Sequence, residues 1–212
     1  MVYDLIKRIL DLVGAVLLLI VLSPLIILAA FLVKFTSDGP LLVEQSNRVG
    51  KNSKFFRMYK FRSMIKDSHK LIRTDPKYKK LLDEYKSNSF KLKSDPRVTS
   101  IGGFLRRFSI DELPQLFNVI KGDMSLIGPR ALYPDELFEQ KKKFPKCGSL
   151  IAQALSVRPG MTGLWQVSGR SKVGFEKRIE MDANYAKSKS LLLDLTILLK
   201  TPWAVAAGEG VN

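Results

Sequence analysis

Residues 108–130 read FSIDELPQLFNVIKGDMSLIGPR, and the middle of this stretch has the apolar pattern of a helix. Apolar side chains recur there at i, i+3, i+4 and i+7, as Leu113, Leu116, Phe117 and Ile120. Gly122 supplies a C-terminal stop. Because proline is tolerated only in the first turn of a helix, Pro114 predicts that this helix begins near Ile110 or Asp111.

The predicted helix places two adjacent carboxylates, Asp111 and Glu112, at its N-terminus, with Arg130 beyond its other end. Backbone N–H groups and the helix dipole at that terminus favour both a charged carboxylate and a bound phosphate. The arrangement therefore suits phosphoryl chemistry. A structural alternative is a capping box between Ser109 and Glu112, although a box capped at Ser109 places Pro114 beyond the four N–H groups that a helix leaves unbonded.

The composition bounds the class of protein. The chain has 212 residues, enough for one domain with a sizeable core. Its formal net charge of +15 predicts a polyanionic partner, but charge alone does not choose among nucleic acid, an anionic membrane surface and phosphorylated substrates. Cys147 is the only cysteine, so no intrachain disulfide can form. The one histidine, His69, lies in a charged run, so we expect a solvated position and no histidine-based triad.

Residues 12–33 are almost wholly apolar and are long enough to span a bilayer as a helix. Ser23 and Pro24 interrupt this segment near its middle. Proline lacks a backbone donor and clashes with the carbonyl of the residue four positions earlier, here Ile20, and it also restricts the residue before it. The sequence therefore predicts a sharp bend at these two residues.

Basic residues flank the apolar segment on both sides, with Lys7 and Arg8 before it and Lys34 directly after it. Both flanks favour the cytoplasmic side. A re-entrant helix-break-helix in residues 1–36 satisfies both flanks, and residues 37–212 then form a small cytoplasmic domain at the interface. A spanning helix is an alternative, because proline also occurs in spanning helices. A cleaved signal peptide is a third, although the apolar run exceeds its usual length of about 7–15 residues.

Short-range patterns in the rest of the chain predict a mostly helical α/β fold. Residues 41–43 and 55–61 read as the strands of a short β-hairpin, joined by a polar loop at 47–52. Helical patterns cover three charged segments, namely residues 66–93, 135–146 and 175–188. The apolar pattern of residues 191–207, interrupted by Pro202, indicates either an amphipathic helix lying in the interface plane or a buried core helix.

Residues 157–170, VRPGMTGLWQVSGR, are rich in glycine and in N–H donors. Such a loop lets the backbone approach a phosphate closely, because glycine has no side chain in the way. The stretch lacks the Lys-Ser/Thr signature of a P-loop, and a plain turn is the simpler alternative.

Several motifs occur together in one chain: the apolar run broken at Ser23-Pro24, then YKFRSM (59–64), DPRVT (95–99), DELPQ (111–115), GPR (128–130) and RPGMTGLWQVSGR (158–170). In this combination and order the chain resembles the bacterial sugar transferases called monotopic phosphoglycosyl transferases, which initiate surface polysaccharide or glycan assembly. The resemblance runs nearly end to end, and the length looks like that of the minimal catalytic form. Ala131 departs from the family pattern, which usually has proline after Gly-Pro-Arg.

The resemblance implies an enzyme at the cytoplasmic face of the bacterial inner membrane. In such enzymes a phosphosugar moves from a UDP-sugar to a polyprenyl phosphate, usually undecaprenyl phosphate, with release of UMP and a requirement for Mg²⁺. Asp111 then corresponds to the nucleophile that forms a covalent aspartyl-phosphosugar, and Glu112 to its acidic partner, which assists Mg²⁺ or proton transfer. The residue chemistry is compatible with this, since a carboxylate that attacks phosphorus splits one difficult transfer into two steps.

Two anionic reactants must meet an anionic side chain, so cations have to cancel the repulsion between them. We expect the substrate phosphates to contact Lys60, Arg106, Arg130 and Arg158. We place the nucleotide-sugar loop at Gly160, Thr162, Gln166 and Arg170. The expected partners are a UDP-sugar, polyprenyl phosphate and anionic membrane lipids, without nucleic acid, and a homodimer is compatible with the sequence.

The main rival hypothesis is a basic, membrane-anchored module that binds nucleic acid or anionic lipid without chemistry. That hypothesis gives no reason for Asp111 and Glu112 beside Pro114. A polytopic type of transferase that forms no covalent intermediate is a second rival, and the single apolar segment argues against it.

Overall fold

The computed structural model describes residues 2–43, 47–87, 92, 94–169 and 173–207. Within these ranges the fold is mostly helical, with two small two-stranded sheets. The α-helices are α1 (Val2–Val21), α2 (Ser23–Thr36), α3 (Ser68–Thr74), α4 (Lys79–Ser87), α5 (Ser100–Arg107), α6 (Gln115–Lys121), α7 (Pro134–Lys143), α8 (Gly148–Ala154), α9 (Leu164–Val167), α10 (Phe175–Ser188) and α11 (Leu191–Ala206). The strands are β1 (Asn47–Val49), β2 (Phe55–Arg57), β3 (Ser125–Ile127) and β4 (Gly160–Thr162).

The predicted bend at Ser23 and Pro24 is confirmed. Helices α1 and α2 meet there at 65°. Pro24 has no N–H to donate to the carbonyl of Ile20, and the hydroxyl of Ser23 donates to that carbonyl instead, at 2.8 Å. Among the described helices, none alone is long and apolar enough to cross a membrane, whereas this bent pair together has a suitable length and composition.

Helix α1 is fixed to the rest of the fold by polar side chains near its start. The guanidinium of Arg8 donates to the carbonyls of Val119 at 2.7 Å and Ile120 at 2.9 Å, and so caps the C-terminal end of α6. The carboxylate of Asp11 accepts a hydrogen bond of 3.0 Å from the N–H of Leu126 in β3. The bent pair is therefore held directly against the segment that carries the two adjacent carboxylates.

The predicted hairpin is present, but its first strand lies further along the chain than expected. Strand β1 is antiparallel to β2 in the register Val49↔Phe55, whereas residues 41–43 contribute only a single bridge, between Leu42 and Phe61. The strands are joined by a tight turn at Lys51–Ser53, in which Asn52 has a φ of 55°. Because this left-handed turn is so short, residues that read as loop are part of the strand.

The second sheet pairs β3 with β4 in parallel. Gly128 and Gly160 lie where the backbones of these two strands come close together, and a Cβ added to Gly160 would overlap the backbone nitrogen of Gly128. Residues 157–170 are predicted to be a phosphate-approaching loop or a plain turn, but their described part, 157–169, contains strand β4 followed by the short helix α9. Gly160, like Gly128 directly after strand β3, has no side chain and so allows the two backbones to approach closely.

The charged segments 66–93, 135–146 and 175–188 form helices as predicted, within their described residues. Helix α11 continues through Pro202. It buries Ile197 on one side and exposes Leu192 and Trp203, whose side chains are 74% and 79% exposed, on the other. The alternative of a buried core helix is therefore wrong, and α11 is a surface helix with an apolar outer face.

Candidate active site

The two adjacent carboxylates lie in a 3₁₀ turn, Ile110–Glu112, and not in the first turn of an α-helix. Helix α6 begins only at Gln115, with Pro114 as its N-cap, and ends at Gly122 as expected. Ser109 precedes the turn with a φ of 56°, a left-handed conformation that reverses the chain. Its side chain makes no capping hydrogen bond, so the capping-box alternative is wrong.

Lys60 joins the two carboxylates. Its Nζ lies 2.9 Å from Oδ2 of Asp111 and 3.2 Å from Oε1 of Glu112. The N–H of Phe61 donates to the carbonyl of Asp111 at 2.9 Å, so the chain that follows β2 is tied directly to the acidic turn. The side chain of Asp111 is 1% exposed and that of Glu112 is 32% exposed. One carboxylate is therefore buried against a cation, and the other is partly exposed.

Burial and charge act in opposite directions on these groups. Burial raises the pKa of Asp111, and the attraction of Lys60 only partly offsets it. Burial also disfavours the charged form of Glu112, but the charges of Lys60 and Arg130 outweigh it and lower the pKa of Glu112. For Lys60, burial is outweighed by the two carboxylates, and the net effect raises its pKa. Lys60 is thus held as a cation between two carboxyl groups of different proton affinity.

Three arginines surround the carboxylates from different elements. Arg106 lies in the last turn of α5, Arg130 follows β3, and Arg48 lies in β1. The guanidinium of Arg130 lies 5.3 Å from the ring centre of Trp165 in α9. Distant parts of the sequence thus bring positive charge to one place, as the neutralisation of phosphates requires.

The carboxylates open into a cavity of about 900 Å³. An apolar wall comes from the bent helix pair and α11, with Leu18, Leu22, Leu25, Leu198, Pro202 and Val205. A polar wall comes from β1, α3, α7 with the residue before it, and α10, and it contains Arg48, His69, Tyr133, Glu136 and Arg178. A pocket that is mostly apolar with a few convergent polar groups is typical of ligand sites.

The structure brings together five of the predicted binding residues at this cavity, and they are Lys60, Arg106, Arg130, Thr162 and Gln166. Two others lie elsewhere. Gly160 is absorbed in the packing of β3 against β4. Arg158 lies away from the cavity, and its Nε donates to the carbonyl of Gly122 at 2.8 Å. Arg170 lies outside the described residues.

His69 corrects an expectation, because it is half-buried and not on a solvated face. Its Nε2 shares a hydrogen bond of 2.9 Å with the hydroxyl of Tyr133. Burial, followed by the charges of Arg48 and Arg73, lowers the pKa of His69 to about 4, so its ring is neutral at neutral pH. The charged neighbours of His69 in the sequence give no signal for this position, since the burial depends on residues about 60 positions away.

The donor set for Mg²⁺ is small. Within the described part of the chain, no three His, Cys, Asp or Glu side chains lie close enough together to hold a metal ion. Asp111 and Glu112 nevertheless offer two oxygen donors at the cavity. Mg²⁺ commonly binds through one or two carboxylates, with substrate phosphates and water completing its shell. The residues present therefore fit a magnesium ion that binds together with a phosphorylated substrate.

Comparison with known proteins identifies relatives over almost the whole chain. Residues 2–208 match the family described as "Bacterial sugar transferase". The chain is 42% identical over 96% of its length to a protein of Salmonella typhimurium named "Undecaprenyl-phosphate galactose phosphotransferase", of which it covers 41%. It is 38% identical to the "Undecaprenyl-phosphate glucose phosphotransferase" of Komagataeibacter xylinus, with 92% of the chain and 35% of that protein aligned.

The relatives differ in length more than they differ in percentage identity to this chain. The chain spans about two fifths of the Salmonella typhimurium protein. The "Exopolysaccharide production protein ExoY" of Sinorhizobium fredii is 41% identical over 96% of the chain, and there the match covers 87% of the relative.

Proposed function

Because the chain belongs to the bacterial sugar transferase family, we propose that it transfers a phosphosugar from a UDP-sugar to a polyprenyl phosphate. The relatives named as undecaprenyl-phosphate sugar phosphotransferases support the acceptor and the type of reaction. The product is the first lipid-linked sugar of a surface polysaccharide, O-antigen, capsule or glycoprotein glycan.

One observation carries the proposal. A buried carboxylate, Asp111, lies beside the partly exposed Glu112 and 2.9 Å from Lys60, at a cavity with both an arginine-rich and an apolar wall. A rigid, buried carboxylate is suited to attack on phosphorus, and a nearby cation lowers the repulsion from an incoming phosphate. A module that only binds nucleic acid or lipid has no need of such a pair.

In the first step a carboxylate oxygen of Asp111 attacks the sugar-bearing phosphorus of the UDP-sugar. A bond forms between that oxygen and phosphorus, and the bond from phosphorus to the bridging oxygen breaks. The electron pair of the broken bond leaves with UMP, and Asp111 holds the phosphosugar. In the second step a phosphate oxygen of the polyprenyl phosphate attacks the same phosphorus, and the bond to Asp111 breaks and restores the carboxylate.

The cations have distinct roles in these steps. Lys60 orients the carboxylate of Asp111 in the resting enzyme and lowers the cost of bringing a phosphate near it. In this proposal Arg106 and Arg130, which line the cavity from different elements, bind the diphosphate. Arg130 is positioned to neutralise the leaving phosphate while its guanidinium packs on Trp165.

Asp111 and Glu112 are the residues that would hold Mg²⁺ with the diphosphate. The ion would supply positive charge against the charge that develops on the leaving phosphate. Glu112, whose pKa is lowered by Lys60 and Arg130 against the effect of burial, stays ionised and suits this role.

The acceptor is a lipid, and the apolar wall gives it a place. Leu18, Leu22 and Leu25 line the cavity from the bend between α1 and α2. Exposed apolar side chains cover the outer faces of these helices and of α11. A bent pair that dips into one leaflet, at the cytoplasmic face of the bacterial inner membrane, would deliver the polyprenyl phosphate to Asp111 at headgroup level.

The proposal is tested by measuring UMP release from UDP-sugars by the detergent-solubilised protein with Mg²⁺ and polyprenyl phosphate. We expect all release to depend on Asp111 and release beyond one UMP per enzyme to depend on the acceptor, with a lipid-linked phosphosugar as the second product. Binding of UDP-sugar without any release of UMP would contradict the proposed activity.

A further inference from the structure

The polar wall of the cavity contains three residues that the transfer chemistry leaves unused: Arg48, His69 and Tyr133. They come from β1, from α3 and from the residue before α7, so they are far apart in sequence. We refer to these three residues as the polar subsite.

Arg48 is a buried cation without a described counter-ion. It is 5% exposed, and its guanidinium lies over the ring of Tyr133, 3.1 Å from the ring centre. Its Nη1 donates to the adjacent carbonyl of Asn47 at 3.3 Å, and no carboxylate within the described ranges lies at ion-pair distance. Removing a guanidinium from water is costly, and a ring contact with one hydrogen bond offsets only part of that cost. A bound phosphate at the cavity would offset that cost.

Arg48 connects the acidic turn to the rest of the polar subsite. After the larger effect of burial, its charge is the next cause that lowers the pKa of His69. Its charge also lowers the pKa of Glu112, after the larger effects of burial, Lys60 and Arg130. Arg48, Asp111 and Glu112 also line the same cavity, so a phosphate bound there is exposed to the charge of Arg48.

His69 and Tyr133 supply neutral hydrogen-bonding groups next to this cation. They share a hydrogen bond of 2.9 Å, and their rings pack with centres 5.0 Å apart. A neutral imidazole and a phenol each donate and accept hydrogen bonds. Such groups suit the hydroxyls of a sugar better than they suit a charged ligand. The hydrogen bond between the two side chains also holds both of them in place.

The direction of attack in the two transfer steps indicates which part of the cavity is left for the sugar. Attacking and leaving oxygens lie roughly in line through phosphorus. Asp111 attacks opposite UMP, and the acceptor must then attack opposite Asp111, on the side that UMP has left. The lipid acceptor arrives along the apolar wall, so UMP must leave from that side of the phosphorus. The sugar must therefore extend toward another part of the cavity.

We propose that the polar subsite binds the hexose of the donor, with Arg48 on its phosphate and with His69 and Tyr133 on its hydroxyls. This inference rests on the proposed function, since it concerns the sugar of that donor. It also gives the lysine-rich segment a role, because α3 presents His69 to the cavity. The choice of sugar is therefore set in part by this segment.

The test compares the binding of UDP-sugars with that of UDP, measured by calorimetry with Mg²⁺ in enzyme that carries Asp111→Asn, so that no covalent phosphosugar forms during the titration. Tyr133→Phe keeps the ring beneath Arg48 and removes one hydroxyl, and His69→Phe keeps an aromatic ring and removes both ring nitrogens. We expect each variant to bind its preferred UDP-sugar about 3- to 10-fold more weakly, the effect of one lost hydrogen bond, and to bind UDP as the wild type does. The relative preference among UDP-glucose, UDP-galactose and UDP-N-acetylgalactosamine should also change.

Tyr59→Phe is the matched control, because the hydroxyl of Tyr59 contacts Lys121 outside the cavity, at 3.4 Å. Equal weakening of UDP and UDP-sugar in Tyr133→Phe would assign the polar subsite to the nucleotide and overturn the inference, as would unchanged binding of both. A wild type that binds UDP-sugar but releases no UMP would instead refute the proposed function, while the binding comparison would still decide the polar subsite.

Discussion

Replacing Lys60 by Met tests how the buried carboxylate is kept in its charged form. The substitution removes the cation 2.9 Å from Asp111 and leaves a carboxyl group that is 1% exposed beside Glu112. Breaking such a buried pair typically costs about 3–5 kcal/mol, because an uncompensated charge stays buried. We therefore expect Lys60→Met to be strongly destabilising at neutral pH, and to abolish turnover.

Protonation of Asp111 limits how much folding free energy Lys60→Met can lose. Asp111 can take up a proton, and from the ordinary aspartate pKa of 3.8 this costs about 4 kcal/mol at pH 7. A loss of about 4 kcal/mol in a chain of this size lowers Tm by about 8–16 °C. Because burial raises the pKa of Asp111 in the folded state, the variant keeps this proton when folded and loses it when unfolded, so its stability falls as pH rises above about 4.

The assay is thermal unfolding in detergent, with EDTA present and at pH values from 5 to 8. The Tm difference between wild type and Lys60→Met should be small at pH 5 and should widen with pH. Adding Asp111→Asn to Lys60→Met should restore most of the lost Tm, since no buried charge then remains on that side chain. A constant Tm difference across this range, or no rescue by Asp111→Asn, would refute the reasoning.

Three further predictions concern separate parts of the structure. Arg130→Ala should lower kcat by at least about 100-fold at unchanged Tm, because it removes a cation from the cavity. Arg158→Ala should instead lower Tm and keep kcat, because it loses a hydrogen bond to a backbone carbonyl. Steady-state kinetics and melting curves that show the reverse would contradict the assignment. Replacing Ser23 and Pro24 by Ala and Leu should straighten the bend, and cysteine labelling in intact cells should then find residue 2 on the opposite face from its wild-type position; an unchanged topology would mean that the break does not turn the chain. Burial raises the pKa of Asp182 to about 7, so the free energy of unfolding of the wild type should fall by up to about 4 kcal/mol as pH rises from 4 to 7. Denaturant unfolding curves measure this loss, and it should vanish in Asp182→Asn.

Much of the fold can be predicted because its signals are local. The bend at Pro24 follows from a missing N–H, and the end of α6 at Gly122 follows from the left-handed conformation that glycine permits. The sequence predicts helix α10 with the bounds that the structure has, since its apolar spacing is regular. In each case the residues that carry the signal are also the residues that form the feature.

The remaining features depend on contacts that sequence patterns do not contain. Pro114 places the start of α6 too early, because the left-handed Ser109 begins a separate 3₁₀ turn that no periodicity reveals. The sequence places Gly160 in the nucleotide-sugar loop, whereas in the structure its missing side chain lets its backbone lie close to that of Gly128. Arg48 and His69 reach the cavity only through tertiary packing, so their local sequence context points to the surface.

The central claim is that Asp111 becomes covalently bonded to the phosphosugar, and intact-protein mass spectrometry tests it most directly. With UDP-sugar and Mg²⁺ but no lipid acceptor, the wild type should gain the mass of one phosphosugar and release about one UMP per enzyme. Asp111→Asn should show neither, and adding polyprenyl phosphate should return the wild-type mass to its starting value. An enzyme that turns over but never shows the adduct, with kinetics that require both substrates bound at once, would contradict the account and leave Asp111 as a ligand of the metal alone.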